Sequence, residues 1–453
     1  MSWDPVPDRD AAATLGDELR ALGYVEQAIV DRLGEDGPAA DREDVPLHDR
    51  RLGHDDLDEA IRLLLLHLPV ARSRIAFAAP LLRLGLATAD GDLLVPRGRI
   101  VPSEGIYLTC DGFSQGLADP PGWVASFTPT AYWLASLTPR RHAGRALDVG
   151  TGNGAHALFA ARHAGHVVAT DVNPRALAFT AISAALNRLE NVETRAGSLF
   201  EPVAGETFDL ITCNAPYVIS PERRWQYRDA GARGDAFSEQ VVRGAAAHLA
   251  DGGYAAVVVS WLGVSEEEPD DHVHAWLAES GCDAWLLGVQ GSDPLEHAAG
   301  WSDHVDPAAA GETLDAWTAY LSELGAGWVS EGVVALHKRR GRNLVHAEPV
   351  DEDELEHAGP QVERVLSGLA LLAEDMLDGR AFRLVEDAWF REELDHEGDV
   401  TGVTLVLDEG THPELEIEPE EIDVLVDPDG ITADSAGREL LRALVELGFV
   451  EPA

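Results

Sequence analysis

Seven short apolar runs punctuate the middle of the chain: Ala146–Val149, Val167–Thr170, Val192–Arg195, Phe208–Cys213, Tyr254–Val259, Ala284–Val289 and Gly332–His337. Most are separated by helix-like segments such as Ala155–Ala164, Pro174–Arg188 and Phe237–Leu249. Strands that alternate with amphipathic helices of about 10–15 residues predict an α/β fold with a doubly wound parallel sheet. Such a sheet binds ligands beyond the carboxyl ends of its strands, so the turns there are the first places to look for chemistry.

The flanks read differently. Ala11–Leu22 and Asp55–Leu68 carry apolar residues at helical spacing, and the short pieces Leu93–Val95, Ile100–Val101 and Ile106–Leu108 follow Pro80–Leu86. Helices followed by two or three strands make a mainly helical, winged-helix-like unit. Leu81–Leu86 echoes Leu441–Gly448, and both read as helices that stop at a glycine. Neither piece is assigned to DNA. Beyond residue 345, Val362–Asp378 reads as helix and Phe382–Phe390, Val400–Leu407 and Leu415–Val426 as a small α+β unit.

Charge places the boundary between the last two units. The chain of 453 residues has 80 acidic and 34 basic residues, a formal charge of −46, and residues 346–453 alone hold 31 acidic and 6 basic. The run Asp351–Glu356 reads as a linker or exposed loop. The expected units are therefore 1–120, 121–345 and 346–453, the last a small acidic α+β domain. So acidic a chain repels nucleic acid except at a local basic patch, and Lys338-Arg339-Arg340-Gly341-Arg342 is the one true basic cluster. Cys110, Cys213 and Cys282 are too few and too scattered for a disulfide scaffold or a paired zinc site. Asp270, Asp271, His272 and His274 hint at a metal, but Glu266–Glu268 beside them suit an exposed acidic loop, and no metal is expected. With no apolar leader and a longest apolar run of Ala255–Val264, the expectation is a soluble, cytoplasmic protein without a membrane partner.

The first core strand runs into Asp148-Val149-Gly150-Thr151-Gly152-Asn153-Gly154-Ala155. Glycines there let the backbone turn sharply and a ligand come close to the next helix's N-terminus. Gly150, Gly152 and Ala155 also satisfy the G-x-G-x-x-G/A pattern of a nicotinamide dinucleotide site, so that reading stays open. A carboxylate before the first glycine, Asp148, suits a ligand with a cationic amino group better than a pyrophosphate. The second strand ends in Asp171-Val172-Asn173, which places an acid where ribose hydroxyls would be held. The fourth ends in Cys213-Asn214-Ala215-Pro216-Tyr217.

Together, D-x-G-x-G-x-G, an acid one strand later and Asn-x-Pro-Tyr after strand four resemble the class I S-adenosylmethionine-dependent methyltransferases, specifically their Asn-Pro-Pro-Tyr branch. That branch includes release-factor glutamine-N5, DNA adenine-N6 and rRNA guanine-N2 methyltransferases. The resemblance spans roughly residues 125–345 and implies a Rossmann-like seven-stranded sheet with S-adenosylmethionine as cofactor. It also implies that Gly150, Thr151, Gly152, Asn153 and Gly154 line the methionine part, with Asp148 near its amino group. Asp171, Val172 and Asn173 fall to ribose and adenine, and Ser198-Leu199-Phe200 takes the place of an acid-plus-apolar adenine contact, with serine as a departure. Phe127–Thr130 resembles a segment that closes over the cofactor, and an ordinary helix start accounts for it equally well.

In the resemblance the Asn-x-Pro-Tyr loop grips the nitrogen to be methylated. Asn214 offers its side-chain oxygen and Ala215 its backbone carbonyl, Pro216 stiffens the loop, and Tyr217 lays a flat face on a planar amide or base. Alanine stands at 215 where the family usually has proline. The expected reaction is N-methylation of a planar amide or amino nitrogen, with a protein glutamine or a small-molecule amide favoured. RNA or DNA base methylation is the alternative, for which Lys338–Arg342 and the interleaved Arg223, Arg224, Trp225, Tyr227 and Arg228 are the supporting features. A dehydrogenase, and a module that binds cofactor without turnover, complete the set. Oligomeric state is not legible.

Overall fold

The computed structural model describes residues 3–35, 37, 41–115, 118–222, 228–229, 231–268, 272–302, 305, 308–352, 355, 357–394, 396 and 400–453. Its centre is a large mixed sheet whose strands are numbered here in chain order: β1 Ala143–Val149, β2 Ala164–Asp171, β3 Val192–Ala196, β4 Phe208–Cys213, β5 Leu249–Gly263, β6 Cys282–Ser292, β7 Trp328–Lys338 and β8 Val345–Pro349. Spatial order is β8-β6-β7-β5-β4-β1-β2-β3. β1 to β5 run parallel, whereas β7 lies antiparallel to both β5 and β6.

The sheet has eight strands where seven were expected. The extra strand, β8, pairs parallel with β6 at the edge, from Ala284↔Val345 to Gly288↔Pro349. It has a single neighbour and partly exposed residues, so its sequence Val-His-Ala-Glu-Pro carries no apolar run. It also crosses the boundary drawn at residue 345.

Three helices set the parallel half. Pro129–Leu137 (α1) is capped by Thr128 and precedes β1; Ala155–Ala161 (α2) follows the glycine turn; Pro174–Leu186 (α3) is capped by Asn173 with proline at its first position. Both faces of the sheet are covered. Trp285, Val333 and Leu210 face one apolar core, and Val257, Ile211 and Leu336 face the other.

The N-terminal unit has the expected helices at Arg9–Leu22 and Asp56–Leu64. A three-stranded antiparallel sheet (Val70–Ala71, Ala87–Asp90, Leu93–Pro96) and the hairpin Gly98–Ser103/Ile106–Asp111 complete it. Strand Ala87–Asp90 escaped the sequence reading because half of it is exposed. This unit shares one core with the outer face of α3, where Ala176, Phe179, Ile182 and Leu186 pack against Leu15, Leu19 and Tyr107. Asn187 fastens the seam, accepting from Tyr107 N at 2.9 Å and donating to Tyr107 O at 2.8 Å.

The C-terminal unit holds the strands Ala388–Leu394, Val400–Leu407 and Glu414–Ile417 around its own core. The segment Leu415–Val426 divides into that last strand and a helix at Ile422–Leu425. Helix Gly359–Ala373 joins this unit to the sheet, burying Val362, Val365, Leu366 and Leu369 in the central core. Among the described residues no helix is long and apolar enough to cross a membrane.

Candidate active site

Strand order reverses at β1, which has β2 on one side and β4 on the other. Crossovers diverge there, so the carboxyl ends of β1 and β4 open onto a crevice. Val149 pairs with Cys213, which places the glycine turn directly against Asn214-Ala215-Pro216-Tyr217. Gly150, at φ 69°, takes a left-handed turn that an L side chain resists, and a Cβ there would lie 3.4 Å from Ala215 Cα. The two sequence motifs thus form adjoining walls of one cavity of about 720 Å³.

Most of the anticipated residues line that cavity: Gly150, Thr151, Gly152 and Asn153 from the first turn, and Asp171, Val172 and Asn173 from the second. Ser198 and Leu199 follow from the third, and Asn214, Ala215, Pro216 and Tyr217 from the fourth. Three do not. Asp148 is almost fully buried behind the turn, where its Oδ2 accepts from Thr151 Oγ1 at 2.7 Å and Ala157 N at 3.1 Å, and its Oδ1 from Thr212 Oγ1 at 2.9 Å. It straps β1, β4 and α2 together and does not line the cavity. Burial pushes its carboxyl up to about 6 against the pull of those donors. Gly154 turns inward to pack on Thr180, whose Cγ2 would sit 3.0 Å from an added Cβ. Phe200 stacks on His248 at 4.8 Å between ring centres, because Leu199 at φ 46° turns the chain away from the cavity.

The second turn is built to hold the first. Asp171 accepts from Gly152 N at 3.0 Å and from Asn173 N at 2.8 Å, and burial raises its carboxyl above the usual range. Asn173 donates to Gly122 O at 3.0 Å and Asn153 to Ala125 O at 3.3 Å, tying segment 122–125 along the cavity rim. Val172 leaves an apolar face uncovered at 53% exposure, and a Cβ on Gly152 would meet nothing nearer than 4.0 Å. Open space above a glycine, an apolar platform and a carboxylate between them suit a nucleoside attached to an amino-acid chain.

Across the crevice, Asn214 Nδ2 donates to Thr130 Oγ1 at 3.4 Å. Phe127–Thr130 runs into the start of α1, with Thr128 as its cap, and lines the cavity, where Thr130 also anchors the asparagine. Tyr217 is mostly buried, its ring edge-on to Trp301 at 6.1 Å, and burial raises its phenol so that it stays protonated. Trp301, Glu331, Gln290 and Glu352 line the same end and were not anticipated. The missed signal was Glu331, a buried carboxylate within strand β7, one residue before the run that was recognised.

Of the other sequence candidates, Arg228 lines the cavity, and the rest lie away from it or outside the described residues. Arg339 pairs with Asp283 and Glu374, and Lys338 Nζ donates to Ala246 O at 3.1 Å, whereas Arg340, paired with Asp251, stays exposed. Arg223, Arg224, Trp225 and Tyr227 lie outside the described residues, as do Asp270 and Asp271. Asp353, Glu354 and Glu356 of the expected linker lie outside them too. Among the described residues no cluster of three or more metal-ligating side chains occurs.

The comparisons with known proteins cover the same stretch of chain. The family model "Methyltransferase small domain" matches residues 128–264, which contain every turn described above. A ribosomal protein uL3 glutamine methyltransferase of Xanthomonas campestris is 30% identical over 238 residues, 47% of this chain and 73% of that protein. Release factor glutamine methyltransferases of Cereibacter sphaeroides and Geobacter sulfurreducens are 41% identical over 122 residues and 34% over 140. Those two alignments cover 24% and 28% of this chain, and 43% and 48% of the relatives. The chain thus spans about half the length of the release-factor relatives it matches. It belongs to the methyltransferase family whose curated members include these protein glutamine methyltransferases.

Proposed function

We propose that the chain transfers the methyl group of S-adenosylmethionine to the side-chain amide nitrogen of a glutamine in a protein, in the cytoplasm. The observation that carries this reading is the meeting of the glycine turn and the Asn214 loop in a single cavity at the switch point. Bound S-adenosylmethionine supplies a methyl group made electrophilic by its cationic sulfur. On the donor side, Gly150, Gly152, Asp171, Val172 and Leu199 provide the close approach, the carboxylate and the apolar platform described above.

An amide nitrogen is a poor nucleophile because its lone pair is delocalised into the carbonyl. Its two N–H bonds need acceptors that fix the nitrogen in line with the methyl group. Thr130 occupies the nitrogen of the Asn214 amide, which leaves the oxygen of that amide for the substrate. The Ala215 carbonyl is the second acceptor, and replacing the family's usual proline by alanine keeps that oxygen. Both are rigidly placed: β1 and β4 pair up to residue 213, and the Tyr217 carbonyl accepts from Ser260 Oγ. Positioning and preorganised electrostatics of this kind replace a strong general base: as the N–C bond forms and the S–C bond breaks, the nitrogen becomes acidic and sheds one proton along its hydrogen bond to these acceptors and on to solvent.

The test uses radiolabelled methyl donor in cell extract, with protease and nuclease treatment of the product. Protease-sensitive label is expected, and nuclease-sensitive label would transfer the reading to an RNA or DNA base. Asn214→Ala should lower turnover by about 10²–10³-fold, the scale of a lost preorganised hydrogen bond, while S-adenosylhomocysteine affinity stays within about twofold. Turnover at the wild-type rate in that variant would overturn the mechanism.

A further inference from the structure

Glu331 sits on β7, register-paired with Ser260 on β5 and Gln290 on β6, and is 7% exposed at the acceptor end of the cavity. Its Oε1 accepts from Trp301 Nε1 at 2.9 Å; its other oxygen has no hydrogen-bond partner among the described residues. Among the described residues no arginine or lysine pairs with it. His297 Nε2 contacts the Ile219 carbonyl at 3.0 Å, so that nitrogen carries the proton and donates. The ring's Nδ1, 3.8 Å from Glu331, is then an acceptor, and burial holds the imidazole neutral with its value near 4. The nearest guanidinium lining the cavity, Arg228, is engaged by Asp229 at 2.7 Å, Glu222 at 2.6 Å and the Trp301 carbonyl at 3.0 Å. A second carboxylate, Glu352, lines the same end and accepts from Gln290 Nε2 at 2.6 Å.

A carboxyl buried without a cation is costly; Asp148 offsets that cost with three donors, whereas Glu331 has one and keeps its second oxygen open at the cavity. Its surroundings indicate which partner. Two carboxylates and the edge-to-face rings of Tyr217 and Trp301 attract positive charge and repel an acidic group.

We propose that this end of the cavity is a cation subsite, in which Glu331 receives the guanidinium or ammonium group of a basic residue flanking the methylated glutamine. The proposal rests on the glutamine reading above and names the substrate feature it selects. Consistent with it, burial raises Glu331 to about 7, a value that a bound cation would pull down again.

Synthetic peptides with a central glutamine and arginine, alanine or glutamate on either side are the probe, used with the full chain at pH 8. Binding in the presence of S-adenosylhomocysteine and label transfer from the donor are measured side by side. The arginine peptides should bind at least tenfold more tightly than the glutamate ones. In Glu331→Gln, whose amide keeps an acceptor for Trp301, that preference should fall to within twofold, and Glu331→Asp should recover part of it. Equal binding of the three peptides to the wild-type chain would overturn the proposal without recourse to any variant, as would a preference that survives in Glu331→Gln. Retained arginine preference with no label transferred would count against the glutamine reading alone.

Discussion

Asp148 shows how one carboxylate can look like a ligand contact in sequence and be a structural strap in space. It satisfies three donors from three different elements, so its removal strips the Thr151 hydroxyl and the Ala157 N–H of their acceptor and leaves the Thr212 hydroxyl only the longer contact to Leu147 O at 3.5 Å. Asp148→Ala should cost about 2–4 kcal/mol in denaturant unfolding, and a loss under about 0.5 would contradict the assignment. Glu331 is likewise raised by burial but has only one donor to offset it. Its ordinary value of 4.5 is raised to about 7 by burial, so the fold prefers the protonated form. That contribution to stability is complete below about pH 4.5 and is lost as pH rises through 7. Titratable or charged neighbours facing it are His297, Tyr217, Glu352 and the Arg228–Asp229 pair. Glu331→Gln should therefore be more stable than the wild type by roughly 1–3 kcal/mol at pH 8, with the gap closing towards pH 5. A gap independent of pH would refute the burial argument.

At the scale of elements, the acceptor end depends on how β6 and β7 come together. Gly332 faces Gly288 where the register of β6 shifts, and a Cβ on Gly332 would lie 2.0 Å from the Leu287 carbonyl oxygen. Only glycine admits that approach, which also fixes the position of its neighbour Glu331. Gly332→Ala should cost about 2–4 kcal/mol in chemical denaturation and weaken peptide binding; an unaltered unfolding midpoint would show that the strands can yield. Elements of this kind divide by legibility. The caps Thr128-Pro129 and Asn173-Pro174 announce their helices locally, because capping is a contact between near neighbours in the chain. Edge strands such as β8 and Ala87–Asp90 announce nothing, since a strand with one neighbour and one covered face needs no apolar run.

In the whole molecule, charge marked the acidic C-terminal unit, but packing continues past the charge boundary. Helix Gly359–Ala373 lies within the acidic stretch by sequence and buries four aliphatic side chains against the central core. A chain ending at residue 358 should therefore be less stable than one ending at 379 by on the order of 5 kcal/mol, from about 1.5 kcal/mol per buried side chain, and should melt at a lower temperature. Equal melting temperatures would place the boundary before the helix. The N-terminal unit is likewise no appendage, because it completes the outer face of α3, whose first turn helps hold the donor side.

Sequence alone determined the sheet's parallel half, its glycine turn, the acid after β2 and the Asn214 loop. Each is specified by residues within a few positions of one another: backbone freedom at glycine, rigidity at proline, and apolar spacing along a strand. Tertiary structure alone decided which side chains face the crevice. It turned Asp148, Gly154 and Phe200 inward, and it gathered Tyr217, Trp301 and Glu331 from a loop, a helix end and a strand. Those three are separated by up to 114 residues and meet only because β7 enters the sheet antiparallel beside β5.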